Sequence, residues 1–267
     1  MRVLLMASAI TGAITAASAQ VFEVASVKPN RSGTTSVSMR MQPGGRFNAL
    51  NVTVFDLIRF AYAVQPFQIE GGPSWLESER FDVMAKVEGE IPPLPPGQVG
   101  PVQLMTQNLL AERFKLKAHR QTKDAAAYAL VHARDDRKLG KQIDPSTVDC
   151  VAVLKAMMAG GRGGPAGPGG PQCRLSAAGP GSVRGTDVSI GQLAQLLSVQ
   201  LQRQVVDRTG LTGVFSFELS FAADQANDPD RPSIFTALQE QLGLKLEPQR
   251  APLEMLLIDS VQQPTPD

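Results

Sequence analysis

The side chains that carry most enzyme chemistry are scarce in this sequence. It holds two histidines, two cysteines, two tyrosines and one tryptophan in 267 residues. So few histidines and cysteines leave no paired-cysteine zinc signature and no His-Glu-x-x-His helix. Neither a Gly-x-Ser-x-Gly elbow nor a Walker loop occurs. The sequence therefore assigns no catalytic residue, no metal ligand and no cofactor. An excess of charge is missing as well, with 26 basic against 25 acidic residues. Without Arg2 the balance is zero, and non-specific binding to nucleic acid or anionic lipid needs a basic excess. Beyond the first 19 residues no apolar run is long enough to span a bilayer.

Those first residues read as a secretory signal. Arg2 gives a basic start, Val3 to Ala16 is mostly apolar, and Ala17-Ser18-Ala19 is a small-residue cleavage site. Cleavage is expected between Ala19 and Gln20, giving a mature chain without a membrane span in the periplasm or outside the cell. Cys150 and Cys173 are the only cysteines. In an oxidising compartment their expected state is a disulfide. It would close a loop of 24 residues, with a stabilisation of about 3 kcal/mol on a chain-entropy account.

What is present is a repeated grammar. From Asp187 to Phe221 the chain reads as a capped helix, a strand, a turn and a second strand. Ser189 and Gln192 form a capping box. Ile190, Leu193, Ala194, Leu197 and Leu201 fall at helical spacing. Gln204-Val205-Val206 is short and β-branched, as in a strand. Asp207-Arg208-Thr209-Gly210 is turn chemistry. Phe215, Phe217, Leu219 and Phe221 alternate with polar residues, as in a half-buried strand. Asn51 to Lys86 echoes this 136 positions earlier. Thr53 and Asp56 stand where Ser189 and Gln192 stand, Leu57 where Leu193 stands, and Phe81 where Phe217 stands. The shared order points to an internal duplication.

The rest of the chain extends the pattern. Ser36–Met41 and Phe47–Leu50 form a hairpin around Pro43-Gly44-Gly45, answered by Arg174–Ala177 and Val183 around Gly179-Pro180-Gly181. Ile91 to Gly97 is a stiff proline-rich linker. Pro101 starts a helix, and Phe114 with Leu116 and then Tyr128–Ala133 read as two strands. Pro232-Ser233 starts the corresponding helix, which Gly243 stops. Leu244 with Leu246 and then Leu253–Ile258 again read as two strands. Arg113 stands opposite Gly243, so the first half is expected to lack a helix stop. Ala159 to Gln172 is too glycine-rich and polar to pack. The expected division is a signal peptide at 1–19, a first repeat at 20–135, a Gly/Pro-rich loop bracketed by the cysteines at 136–173 and a second repeat at 174–267. The expected class is α+β: two similar βαββαββ repeats, with helices on one face of small mixed sheets.

Three places hold the candidate chemistry: His119, His132 and the Asp207-Arg208-Thr209 turn. Both histidines fall on half-exposed strands, where a histidine is ordinarily a polar surface residue. The turn reads as an Asp-Arg pair stabilising the backbone, and Trp75, matched to Leu211, reads as core.

Phe22-Glu23-Val24-Ala25-Ser26-Val27-Lys28-Pro29-Asn30, Gly71-Gly72-Pro73-Ser74-Trp75 with Arg80-Phe81-Asp82, Leu109 to Leu116, and Val206 to Gly213 together resemble a large exported family of soil bacteria, acidobacterial above all. That family is one of unknown function. The resemblance covers nearly the whole mature chain and implies no catalytic or ligand residue. Related domains in that family are fused to membrane-bound sensor peptidases. Each repeat is also similar in architecture to the short N-terminal domain of secretins and TonB-dependent receptors, which implies an interaction module of the periplasm. The expected role is thus non-enzymatic binding of a cell-envelope protein or peptide, by strand addition. The alternatives are a sensor or regulatory domain and an enzyme of unrecognised type. The sequence names no ligand and sets no oligomeric state.

Overall fold

A computed structural model describes residues 21–87, 99–150, 152–153, 176–179, 181–222 and 231–264. The signal segment, the proline-rich linker, the glycine-rich loop and Cys173 lie outside the described residues.

Both capping boxes form. Thr53 Oγ1 accepts from the Asp56 amide at 3.0 Å while Asp56 Oδ2 accepts from the Thr53 amide at 3.1 Å. Ser189 and Gln192 make the same exchange at 3.3 and 2.9 Å. Each box satisfies amides that a helix start leaves open. Helix α1 (Val54–Tyr62) and helix α4 (Ile190–Gln200) follow them. Leu57, Ile58 and Ala61 of the first, and Leu193 and Leu197 of the second, are fully buried.

The chain divides into two compact units. Unit 1 takes residues 1–64, 69–119 and 256–267; unit 2 takes 65–68 and 120–255.

In unit 1, strands β1 (Val24–Pro29), β2 (Ser38–Gln42), β3 (Arg46–Thr53) and β5 (Arg80–Lys86) form an antiparallel sheet in the order β1-β5-β3-β2. Alternation puts Val27, Phe47, Ala49, Phe81 and Val83 on one face, all buried. They pack in one cluster with residues of α1 and of α3 (Pro101–Arg113). Phe81 meets Phe114 edge-on at 5.5 Å, and Phe22, Phe47 and Phe60 stack in series at 5.7 and 5.6 Å. Strand β4 (Ile69–Gly71) pairs in parallel with Leu256–Ile258, and the short helix α2 (Trp75–Ser78) sets Trp75 against the core cluster.

In unit 2 the antiparallel sheet is β7 (Ile143–Pro145), β11 (Phe215–Ser220), β9 (Ser182–Val188) and β8 (Ser176–Gly179), in the order β7-β11-β9-β8. Strand β10 (Val205–Asp207) pairs in parallel with Tyr128–Leu130 of β6 (Lys117–His132). A short helix α5 (Ile234–Ala237) runs into a π-turn over Leu238–Leu242, which ends on Gly243 at φ +67°.

The α+β class with small sheets holds. Of the three four-stranded sheets, β1-β5-β3-β2 and β7-β11-β9-β8 are antiparallel throughout, and the third, in the order β10-β6-β12-β4 with β12 spanning Leu244–Ser260, holds the parallel pairs of β4 and β10. Two other expectations need correction. Phe114 to Ala133 is not two strands: Phe114 caps α3, and one strand runs from Lys117 to His132. Likewise a single strand β12 runs from Leu244 to Ser260, through Pro248 and Pro252. Cross-strand ion pairs carry the polar middle. Arg120 pairs with Glu254, and Arg250 Nε meets Asp124 Oδ2 at 2.5 Å. Opposite charges facing across a ladder favour pairing where apolar alternation is absent. The first half also has its helix stop. Lys115 takes φ +52°, and the Leu116 amide donates to the Leu110 carbonyl at 3.1 Å.

Local geometry agrees at positions 136 apart. Gly45 and Gly181 both have positive φ, at +72° and +66°. Asn51 and Asp187, at +56° and +60°, each sit where the ladder register shifts. A left-handed residue supplies the extra position of a bulge.

Asn51 makes its bulge a junction. It is 4 % exposed, and its side-chain amide donates to the Thr34 and Ser36 carbonyls at 2.8 and 3.2 Å. Its backbone amide donates to Asp82 Oδ1 at 2.9 Å. Asn51→Ala should cost about 3 kcal/mol, from left-handed strain and lost hydrogen bonds. Asn51→Gly, free of the strain, should cost about half as much. Urea unfolding midpoints check the order; equal losses would remove the strain component.

Candidate functional site

Of the residues singled out by chemistry, His132 and the Asp207 turn fall on paired strands: Asp207 stands opposite Leu130, and the Arg208 amide donates to the Leu130 carbonyl at 2.9 Å. His119 lies in unit 1, with Nδ1 3.0 Å from both oxygens of Asp259, and the two side chains are half exposed. His132 and Asp207 lie in unit 2. The Nδ1 of His132 is buried without a hydrogen-bond partner. Asp207 does not serve an ion pair with Arg208. Its Oδ1 accepts from the Thr209 amide at 2.9 Å and from the Thr209 hydroxyl at 2.8 Å. Thr209 Oγ1 in turn accepts from the Leu211 amide at 3.1 Å. This is a self-contained Asx turn, because a short carboxylate reaches the amide two residues on more readily than a guanidinium beside it. Gly210 follows at φ +72°.

Among the described residues no group of three or more His, Cys, Asp or Glu side chains could hold a metal ion. A perturbed carboxylate does occur, in an exposed turn. The hydrogen bond from Arg134 holds the Asp136 carboxyl below its usual range, aided by the Lys138 amide. Such a pair on the surface marks a turn rather than a reaction centre.

The motif residues have structural partners instead. Asn30 Nδ2 donates to Asp82 Oδ1 at 2.7 Å, and Arg80 Nη1 donates to the Asn51 carbonyl at 2.9 Å. The segment before β2 is thereby tied to β5. Arg113 Nη2 donates to the Ala25 carbonyl at 3.0 Å. Gly72, at φ +85°, leaves room for Leu76, whose Cδ1 lies 2.5 Å from where a Cβ would stand.

Two concave surfaces lie in unit 1, one beside each edge strand of its sheet. A cavity of about 210 Å³ beside β1 is lined by Phe22, Ala25, Met105, Leu109, Glu112 and Arg113. A more apolar groove of about 310 Å³ runs beside β2, lined by Met39, Arg40, Met41, Phe47, Phe60 and Pro101 among others. Strand β2 ends the sheet order, so one row of its backbone groups has no ladder partner among the described strands. Met41 is 39 % exposed there. The alternation of Met39 and Met41 with Ser38 and Arg40 is legible in the sequence. The groove is not, because Phe60 and Pro101 come from distant positions.

No helix of the described residues covers the outer face of the same sheet. Val24, Leu50 and Met84 on it are 62, 41 and 48 % exposed. On β11 of unit 2, Ser216, Glu218 and Ser220 alternate with the buried Phe215, Phe217 and Leu219, and Arg184 pairs with Glu218 at 3.0 Å.

A family model described as "Protein of unknown function (DUF3738)" matches residues 55–261. That is more than half of the chain, and the chain belongs to this family. No curated protein and no solved structure matches it. Among the described residues no helix is long and apolar enough to cross a membrane.

Proposed function

We propose that this protein is an exported, non-enzymatic interaction module of the bacterial cell envelope, which captures an extended segment of a partner by strand addition along β2. The observation that carries the reading is the coincidence of an open strand edge with an apolar groove beside it. Main-chain hydrogen bonds along β2 would supply affinity, and alternate side chains of the added strand would enter the groove. Its volume of about 310 Å³ is at the small end for a binding site, and suits one or two aliphatic side chains. The likeness of each half to the short N-terminal domain of secretins and TonB-dependent receptors supports an envelope setting, and the soil-bacterial resemblance supports the source. The matched capping boxes, bulges and sheet orders support a duplicated unit.

Photo-crosslinking in the producing cells tests the proposal. A benzoylphenylalanine placed at Met41 should give a discrete adduct, and one placed at Ser216 on the polar face of unit 2 should give none. Adducts of equal yield at both positions would refute it.

Export and the disulfide belong to the same reading. Non-reducing mass spectrometry of the exported chain should find Gln20 as the first residue and Cys150 linked to Cys173. Two free thiols would remove the disulfide.

A further inference from the structure

We infer that the segment captured at β2 alternates apolar and acidic residues, an inference that rests on the strand-addition reading. The charge on the outer face of the unit 1 sheet carries it. Register and alternation place Lys28, Arg40, Arg46 and Lys86 on that face with Asp82. Glu23 precedes β1 and meets Lys86 Nζ at 2.7 Å. Asp82 is held by Asn30 and by the Asn51 amide. Both carboxylates are therefore engaged. Arg46 stands directly opposite Lys86 on one side and Gln42 on the other, and Arg40 opposite Asn48. Like charges facing across a ladder repel, and Arg40 and Arg46 meet no carboxylate among the described residues. The corresponding face of unit 2 instead pairs Arg184 with Glu218.

A strand laid against β2 continues this face. Its outward side chains would stand beside Ser38, Arg40 and Gln42, roughly 5 Å away as cross-strand neighbours do. Carboxylates there would complete the row that Arg40 and Arg46 begin. Its other side chains would lie over Met39, Met41 and the groove, where aliphatic groups fit. A second copy of this chain is disfavoured as the occupant, because β2 would bring the same cations with it.

The test uses fluorescence anisotropy with the mature chain, Gln20 to Asp267, and short labelled probes. One probe alternates valine and glutamate, a second alternates valine and lysine, and two further versions of each are N-methylated at every other residue in either frame. The glutamate probe should bind at least about tenfold more tightly than the lysine probe. Its affinity should fall with added salt. Arg40→Glu with Arg46→Glu should reverse the preference, and Arg40→Gln with Arg46→Gln should erase it if the first variant folds poorly. One N-methylated frame should abolish binding. Equal binding of both probes, still lost on N-methylation, would overturn the acidic preference and leave strand addition standing. Binding indifferent to N-methylation, or no binding of either probe, would overturn this inference; in the first case strand addition falls with it.

Discussion

Gly140→Ala should destabilise unit 2 by about 3 kcal/mol, the upper range for overpacking a fixed backbone. A Cβ at that position would lie 2.1 Å from the Gln241 carbonyl oxygen and 2.5 Å from its carbon. No side chain can move aside, because the obstacle is main chain. The same main chain is committed to hydrogen bonds. The Gly140 amide donates to the Leu242 carbonyl at 2.9 Å, and the Gln142 amide to the Gln241 carbonyl at 3.0 Å. Leu238, Leu242 and Leu244 beside it are fully buried, so any shift opens the core. Gly243→Ala should cost a similar amount, since its φ is +67° and its Cβ would meet Gly140 N at 2.7 Å and Lys138 O at 2.8 Å. Gly213→Ala is the control. It has φ +89° and open space around it, so only the conformational cost of about 1 kcal/mol remains. Urea unfolding should place both crowded variants well below the control. A Gly140→Ala midpoint at or above that of Gly213→Ala would show that the π-turn does not pack there as described.

Phe217→Ala should cost about 4 kcal/mol, as expected for a buried phenylalanine. The ring is 4 % exposed and lies across Gly185 of the neighbouring strand. A Cβ on Gly185 would come within 2.5 Å of the ring's Cε1. Gly185→Ala alone should therefore cost about 2 kcal/mol, by pushing the ring off its site. The two positions share one space, so their effects should not add. Gly185→Ala combined with Phe217→Leu should be at least about 1 kcal/mol more stable than the sum of the single losses. Strict additivity in thermal or urea unfolding would mean that ring and glycine do not compete.

These effects mark where sequence and structure part. The capping boxes, the stripe from Ile190 to Leu197, the alternation from Phe215 to Leu219 and the Gly243 stop were legible, because each is set by neighbours along the chain. The longer strands were not. Arg120 and Asp124 interrupt the apolar pattern of β6, and Pro248 and Pro252 that of β12, and only their cross-strand partners explain why pairing continues. Lys115 hid a helix stop, since a left-handed lysine leaves no mark in composition. Asn51 and Asp187 open the two echoed stretches with no mark of a left-handed backbone, though each bends its strand at a bulge. The candidate histidines were visible as residue types, but the pairing that sets the His132 strand beside the Asp207 turn was not. The groove beside β2 was half visible: Met39 and Met41 alternate in the sequence, whereas Phe60 and Pro101 reach it only through the fold.

The central claim is that β2 is a recognition edge. Amide hydrogen exchange on the mature chain, alone and with the segment trapped at position 41, tests it most directly. The account predicts that alternate amides of Ser38–Gln42 become strongly protected, since only every other one points outward, while amides of β8 and β9 keep their rates. Protection elsewhere with β2 unchanged would contradict it.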